Sequence, residues 1–300
     1  MWKGQTKSGV WTPRSNPADG GRPARRGSKE GDEVLYWIYD IPLPVLGALF
    51  LAISVGLSTA GVLIMRPWSL KEFAHEEGWR EHVVITLEGA FVFFGLLLAL
   101  VTITAYENFR NARERVEAEA AELGSLYRDV SGYPQPLRGE LQADLKAYVA
   151  YVIKDAWPQQ ERGIVPVGGV PLVTAFQDKL TAYNPVSQGE VALHGATLFK
   201  FNDFIKARRQ RLHAVTIALP AAMWGVLIAG TLINIALSCL LPVASLKGHL
   251  LLSGAFASII GLILFITAAM DNPFRGTFSV SPEAFETIQH DVMGVTAGHS

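Results

Sequence analysis

Val83–Arg128 reads VVITLEGAFVFFGLLLALVTITAYENFRNARERVEAEAAELGSLYR and joins two patterns without a break. The first half, Val83–Ala105, is close to the ~20 apolar residues that a helix needs to cross the hydrocarbon of a bilayer. The second half is rich in Glu and Arg and repeats apolar residues at three- and four-residue steps, which is typical of an amphipathic helix. The stretch therefore predicts one long helix that leaves the membrane and continues into water.

Three further apolar runs of membrane length surround this stretch, at Pro42–Met65, Ala214–Ala236 and Leu250–Met270. Half of the 300 residues are hydrophobic, and no segment shows convincing strand alternation. The chain is predicted to be an all-α membrane protein with four transmembrane helices. The long middle between the second and third spans is expected to be a cytoplasmic helical bundle.

The distribution of Arg and Lys sets the expected orientation, because positive residues near span ends favour the cytoplasmic side. They are frequent before the first span, after the second and before the third, whereas the loop after the first span is mainly acidic. Both termini are therefore expected in the cytoplasm. The predicted segments are a disordered tail at 1–33, a transmembrane helix pair with its outer loop at 34–106, a cytoplasmic helical region at 107–212, a second transmembrane pair at 213–270, and a cytoplasmic clasp and tail at 271–300.

The middle region is predicted to hold three helices after the one that continues from the second span. They cover Leu137–Trp157, Pro171–Tyr183 and Ser187–Arg211, and Pro158 is expected to end the first of them. Each is amphipathic but has a narrow apolar face, so the helices should pack against each other.

One face of the second span is acidic, polar and small apart from Phe91 and Val92. It contains a stripe of five candidate residues, Glu88, Phe91, Gly95, Ala99 and Thr102. These residues lie at helical steps from an ionisable group, which is rare inside a bilayer and by default marks a function or a partner. Glu88 could be hydrogen-bonded between helices, with Asn234 as one possible partner. It could also line a wet outer vestibule of a pore or couple proton movement. The stripe is thus a candidate for the lining of a pore.

The opposite side of this helix is bulky and apolar and is expected to face lipid. It consists of Leu87, Phe94, Leu98 and Val101.

Small residues at four-residue steps predict close helix packing in the other spans. They are Ala52, Gly56 and Ala60 in the first span, Gly225 and Ala229 in the third, and Gly254 and Ser258, with Gly261 three residues on, in the fourth. Pro220 is expected to kink the third span.

The fourth span ends in Asp271-Asn272-Pro273-Phe274-Arg275-Gly276. Pro273 cannot continue the helix, and an acidic residue at a helix C-terminus opposes the helix dipole. A local cation is therefore expected beside Asp271, with Arg275 or an arginine of the bundle as its partner. We interpret Asp271, Asn272, Pro273 and Arg275 as a structural clasp or, alternatively, as a clasp that senses a ligand or an ion.

A basic cluster precedes the third span and consists of Lys206, Arg208, Arg209 and Arg211. It can act as a simple positive-inside anchor, or it can bind the headgroups of anionic lipids.

Several of these motifs resemble a known family. Ile38-Tyr39-Asp40-Ile41-Pro42 opens the first span, Asp155-Ala156-Trp157-Pro158 ends a bundle helix, and Asp271–Gly276 leads into Ser279-Val280-Ser281-Pro282-Glu283. Over about Val34–Ile288 the chain resembles the bacterial bestrophin-like membrane proteins. The resemblance implies a homo-oligomer in a bacterial inner membrane. Bestrophins, to which that family is distantly similar, are pentameric anion channels with four spans per subunit.

The functional hypothesis is an oligomeric ion channel with the second span around its axis. The alternative is a non-conducting scaffold or sensor whose cytoplasmic helices bind a partner or anionic lipid. An enzyme is not expected, because no nucleophile–base arrangement or metal-type spacing is present. No cofactor or metal is predicted, and the net charge of −1 gives no field that would attract nucleic acid.

Overall fold

The computed structural model describes residues 41–72, 78–241, 243–276 and 278–294. The predicted tail at 1–33 and the motif Ile38–Asp40 lie outside these residues. The regular secondary structure of the described part is helical, with no strand. Its helices are α1 (Leu43–Glu72), α2 (Trp79–Asp129), α3 (Leu137–Tyr151), α4 (Trp157–Glu161), α5 (Gly169–Ala182), α6 (Gln188–Ala214), α7 (Ala221–Cys239), α8 (Leu246–Asp271) and α9 (Glu283–Asp291).

Four of these helices are long and apolar enough to cross a membrane: α1, the first part of α2, α7 and α8. The prediction of an all-α chain with four membrane helices is confirmed.

The long helix predicted from Val83–Arg128 is one element of 51 residues. At 1.5 Å per residue it is about 76 Å long, more than twice the hydrocarbon thickness. Its polar half is supported by ion pairs at four-residue spacing, Arg110–Glu114 at 3.4 Å and Arg113–Glu117 at 2.9 Å. Since such exposed pairs each contribute only a few tenths of a kcal/mol, packing of the apolar stripe must hold this half in place.

The helices between α2 and α7 pack around a shared apolar core with the second half of α2 and with α9. Its members include Val116, Leu123, Leu145, Phe204 and Phe285, all of which are nearly inaccessible to solvent. Helix α6 begins as the sequence predicted, because the hydroxyl of Ser187 accepts a hydrogen bond from the Glu190 N–H. That this region lies on the cytoplasmic side stays a prediction.

The expected stop at Pro158 is wrong. A π-helical turn, Val152–Ala156, connects α3 directly to α4, and Pro158 is the second residue of α4. A proline in a first helical turn needs no backbone N–H donor, so it is tolerated there. The extension carries Gln160 into the protein interior, where its exposure is 0%.

The third span also begins later than predicted. Helix α6 ends at Ala214 and α7 starts at Ala221, with Pro220 as its N-cap residue. Pro220 therefore begins a helix and does not kink one. The residue before a proline is driven away from helical geometry, so α6 cannot pass through this point.

Helices α1 and α8 approach each other closely at Gly261. A Cβ atom at this position would lie 2.8 Å from Ser54 Oγ and 3.1 Å from the backbone oxygen of Phe50. The predicted small-residue line of α1 is not used in this contact, since Ala52, Gly56 and Ala60 are exposed. The buried line of α1 instead contains Ser54 and Ser58.

Gly261→Ala is expected to lower the stability of the protein by about 1–3 kcal/mol, because the added methyl group must displace a backbone carbonyl. Thermal unfolding in detergent is the measurement. Gly254→Ala on the same helix is the matched control, since a Cβ there meets nothing within 4 Å. If both variants unfold at the wild-type temperature, the close contact between α1 and α8 is not present.

Candidate functional site

The apolar half of α2 packs against α7 and α8 through the face that was expected to contact lipid. Phe94, Leu98, Val101 and Ala105 are buried there in one cluster. A Cβ at Gly230 of α7 would lie 2.5 Å from the Phe94 ring, so the two helices touch at this point. The expectation of a lipid-facing side was wrong for Phe94, Leu98 and Val101 because bulky apolar residues suit a protein interior and a lipid environment equally well.

The predicted polar stripe is divided between two surroundings. Phe91 contacts α8 through Phe256, with ring centroids 3.4 Å apart. The hydroxyls of Thr102 and Thr267 are hydrogen-bonded at 2.7 Å, also between α2 and α8. Phe91 and Thr102 are both partly buried, so the contact between α2 and α8 determines the position of these two side chains.

The remaining three residues of the stripe, Glu88, Gly95 and Ala99, are exposed on the protomer. Val92 is exposed at 61% and lies one turn from Glu88. Glu88, Val92, Gly95 and Ala99 thus form a continuous exposed line at steps of four, three and four residues, which we call the α2 line.

Glu88 lies nine residues after Trp79, the first residue of α2, which is about 14 Å along the helix axis. Among the described residues its carboxylate makes no hydrogen bond or ion pair. The suggested partner Asn234 instead donates from Nδ2 to the carbonyl of Gly230 at 2.9 Å. Glu88 is therefore not held between the helices that the structure describes in one protomer.

The buried carboxylate of Asp271 connects the end of α8 to the start of α7. Asp271 Oδ1 accepts from the backbone N–H of Leu219 at 2.6 Å, and Oδ2 accepts from the Trp224 indole at 3.1 Å. These neutral donors lie in and just after the break between α6 and α7. The sequence singled out Asp271 but did not indicate these partners, because they are about 50 residues away in the chain.

Of the rest of the predicted clasp, Arg275 contacts a helix between α2 and α7, whereas Asn272 and Pro273 make local backbone bonds. Arg275 Nε donates to the Glu161 carbonyl at 3.1 Å, at the end of α4. The carbonyl of Pro273 accepts from the Val280 N–H at 2.8 Å, and the backbone oxygen of Asn272 accepts from the Arg275 N–H at 3.0 Å. These bonds form a turn at Asn272–Arg275 and hold Val280 beside Pro273. A role in sensing a ligand stays a prediction.

The basic cluster is not a single surface. Lys206 and Arg209 are exposed and Arg208 is partly buried, but Arg211 is only 1% exposed. Arg211 cannot reach a lipid headgroup, so its assignment as a lipid-binding candidate is wrong. Other helices can cover one part of a helical face and leave the rest exposed, so neighbouring residues on that face can be core and surface residues. The sequence does not show which part is covered.

Arg211 forms a buried ion pair with Glu119 of α2, whose exposure is 0%. Arg211 Nε donates to Glu119 Oε2 at 2.6 Å, and Tyr148 donates its hydroxyl to Glu119 Oε1 at 2.6 Å. Arg211 Nη1 also donates to Gln160 Oε1 at 2.6 Å, and the guanidinium lies 5.4 Å from the Phe285 ring centroid.

Electrostatics keeps both donors of this network protonated. Burial and the neighbouring Glu119 carboxylate raise the pKa of the Tyr148 phenol. Burial alone would lower the pKa of Arg211, but Glu119 and Tyr148 hold it above its ordinary value. Helices α2, α3, α4 and α6 are therefore joined by a network in which Arg211 stays charged and Tyr148 stays neutral at physiological pH. Periodicity predicted no such network, because Glu119 and Arg211 each look like a surface residue.

Comparison with known proteins identifies the relatives of this four-span chain. A family model described as a bestrophin-like domain matches residues 52–285. The chain belongs to the bestrophin-like family. The predicted resemblance is thus confirmed over residues 52–285.

Solved structures of bacterial bestrophin homologues share the fold of this bestrophin-like protein. A point variant of the homologue from Klebsiella pneumoniae matches with a TM-score of 0.65 at 12% identity, over 84% of this chain and 99% of that chain. A second variant of the same protein matches with a TM-score of 0.61 at 11% identity, over 83% and 99% of the two chains. No curated protein matches the chain.

Among the described residues of this bestrophin-like protein, no group of three or more His, Cys, Asp or Glu residues could hold a metal ion.

Proposed function

We propose that this bestrophin-like protein is a subunit of a homo-oligomeric ion channel in a bacterial inner membrane. In this proposal the α2 helices surround a central path, and the α2 line of Glu88, Val92, Gly95 and Ala99 faces that path. Family resemblance supports five subunits. The helices between α2 and α7, the clasp and both termini lie in the cytoplasm.

The observation that carries the proposal is the exposed Glu88 at membrane depth. A charged group facing hydrocarbon is costly, so such residues almost always face a bundle interior or a water-filled cavity. In the protomer Glu88 faces neither, because it is exposed and has no partner among the described residues. If several copies surround a water-filled axis, the Glu88 side chains face water, and this cost is removed.

The small residues of α1 and α7 support the assembly of several copies. Gly56 and Gly225 are exposed, and a Cβ atom at either position would meet nothing within 4 Å. Such positions let helices of neighbouring subunits approach closely. Their packing partners are thus expected in the oligomer, not within the protomer.

The proposed path has a mixed chemical character. A ring of Glu88 carboxylates favours cations, whereas Val92 can provide an apolar constriction that gates by dewetting. The ring lies near the beginning of α2, which the charge distribution places at the outer side of the membrane. We therefore expect a cation preference that depends on Glu88.

Glu88→Gln is expected to reduce the cation-to-anion permeability ratio several-fold, because it removes the negative ring without changing the size of the side chain. The measurement is the reversal potential of purified protein in planar bilayers under a salt gradient. Glu72→Gln is the matched control, since Glu72 is an exposed carboxylate at the end of α1.

Val92→Ala is expected to raise the conductance in the same bilayers, because a smaller side chain relieves a dewetted constriction. The exposed Leu251 of α8 provides the control Leu251→Ala, which should leave the current unchanged. Currents that are unaffected by both Glu88→Gln and Val92→Ala would show that α2 does not line the path.

A further inference from the structure

An exposed apolar segment connects α4 to α5. Its members are Ile164, Val165 and Val167, which are 53%, 39% and 75% exposed, and Val170 in the first turn of α5, which is 52% exposed. We call these four residues the α4–α5 patch. Single exposed aliphatic residues are common on protein surfaces, whereas several within two turns of chain mark a surface that binds protein or lipid.

Helix lengths indicate that the chain returns to the membrane where the α4–α5 patch begins. Helix α2 passes the end of the predicted second span at Ala105 and continues to Asp129, about 36 Å further along its axis. The path through α3, the π-helical turn and α4 covers Leu137–Glu161 and is nearly as long, at about 37 Å. If it runs back along α2, Glu161 lies level with the end of the span.

Two hydrogen bonds between α2 and α3 fix this direction. Far from the membrane, Gln142 Nε2 donates to Ser131 Oγ at 2.9 Å. Closer to it, the Tyr148 hydroxyl donates to Glu119 Oε1 at 2.6 Å. The residue number rises along α3 while it falls along α2, so α3 runs toward the membrane. The α4–α5 patch therefore lies at the membrane-proximal end of these helices.

Arg275 joins the start of the patch to a membrane helix. Its Nε donates to the carbonyl of Glu161 at 3.1 Å, and a Cβ atom at Gly163 would lie 3.7 Å from its Nη1. Arg275 also lines a small recess with Ile41 and Leu43, at the beginning of α1. The patch thus begins beside the point at which α1 enters the membrane.

The turn that ends α4 leaves Ile164 exposed. Gly163 has a φ of 73°, its N–H donates to the Gln160 carbonyl at 2.8 Å, and the Ile164 N–H donates to the Gln159 carbonyl at 2.9 Å. In this type of helix end, the residue after the glycine commonly packs against the last helical turn. Ile164 is instead 53% exposed, so its side chain is available to a partner outside the described protomer.

Position and composition favour lipid as that partner. The patch begins beside α1, which exposes apolar residues along its length, among them Val45, Ile53 and Ile64. The patch continues this apolar surface at the membrane boundary. Aliphatic side chains gain free energy there by entering the zone between headgroups and acyl chains, while the exposed Arg162 beside them can extend to the phosphates.

We propose that the α4–α5 patch is a membrane-interface anchor. Ile164, Val165 and Val167 enter the boundary between headgroups and acyl chains in the leaflet at which α2 leaves the membrane. The anchor holds the membrane-proximal end of α4 and α5 to the bilayer. It is separate from the α2 line, and the proposal does not rest on ion conduction.

A fluorescent label at Val167 is expected to contact lipid. Val167→Cys in a Cys239→Ala background would carry a nitrobenzoxadiazole label, in nanodiscs of phosphatidylcholine and phosphatidylglycerol. Lipids with a nitroxide near the carbonyl end of the acyl chain should quench this label about threefold more strongly than one at Val186→Cys. Val186 is the matched control, because it is 88% exposed and precedes α6, whose 27 residues lead back to the third span. Aqueous iodide should show the opposite order.

A second variant tests whether apolar side chains hold the segment in the lipid. Ile164→Ser combined with Val165→Ser leaves the backbone connection unchanged but removes two of the apolar groups. It is expected to reduce quenching of the Val167→Cys label by the lipid nitroxide by about half or more. Val191→Ser is the control, since Val191 is 55% exposed on α6 and should leave the quenching unchanged.

Three results would overturn the proposal. Iodide quenching at Val167→Cys as strong as at Val186→Cys would place the segment in water. Protection from both quenchers would show that another subunit covers it. Full lipid quenching in the variant with both serines would show that Ile164 and Val165 do not anchor the segment. Because no current is measured, none of these results bears on whether the protein is a channel.

Discussion

Arg211→Met should lower the free energy of unfolding by about 3–5 kcal/mol, which makes it one of the two most damaging substitutions that we expect in this chain. The variant leaves the Glu119 carboxylate at 0% exposure with the Tyr148 hydroxyl as its remaining partner in the network. An uncompensated buried charge costs much more than a lost surface contact. Thermal unfolding in detergent should show a decrease of about 10 °C.

Two further variants separate the buried charge from a loss of packing. Glu119→Leu combined with Arg211→Met removes both charges, and it should recover part of the lost stability because apolar side chains can replace a buried pair. Arg113→Met breaks the exposed pair with Glu117 and should change the stability by less than about 1 kcal/mol. A double variant that is less stable than Arg211→Met alone would contradict this account.

Asp271→Ala is expected to cost about 2–4 kcal/mol, since it removes the acceptor of two donors. The backbone N–H of Leu219 and the indole N–H of Trp224 both bond to this carboxylate. Losing it should loosen the start of α7 relative to the end of α8. Thermal unfolding and protease sensitivity at residues 215–220 are the two measurements.

Related substitutions show whether the acceptor is the cause. Trp224→Phe removes only the side-chain donor and should cost less than Asp271→Ala. Asp271→Asn keeps one oxygen but presents an NH2 group to the other donor, so an intermediate loss is expected. Asp178→Ala on the exposed side of α5 is the control for removing an aspartate. Wild-type stability of Asp271→Ala would show that Asp271 does not link the two helices.

The sequence predicted the features that depend on local pattern. Four apolar runs of membrane length gave four spans, and the continuous periodicity of Val83–Arg128 gave the helix of 51 residues. The predicted start of a helix at Ser187 was likewise correct, because the signal that begins a helix involves only residues within one turn. The two errors at Pro158 and Pro220 share a cause. Proline restricts the backbone, but its presence alone does not predict whether a helix ends, begins or continues at that position.

The candidate site was only partly predictable. Periodicity correctly grouped Glu88, Gly95 and Ala99 as neighbours, but it could not show that Phe91 and Thr102 contact α8. It also placed Arg211 with Lys206 and Arg209 as a basic surface. Burial of Arg211 depends on α2, α3 and α4 covering that side of α6, and those contacts join residues up to 92 positions apart.

By itself, the sequence determined the class of this protein, its four spans and the long helix that leaves the membrane. These properties follow from the spacing of apolar residues along one segment, which is a local quantity. Tertiary structure alone decided which side of α2 packs, which carboxylates are buried and which line stays exposed. The reason is physical: lipid and protein interior are equally apolar, so an apolar face of a membrane helix does not reveal which of the two it contacts.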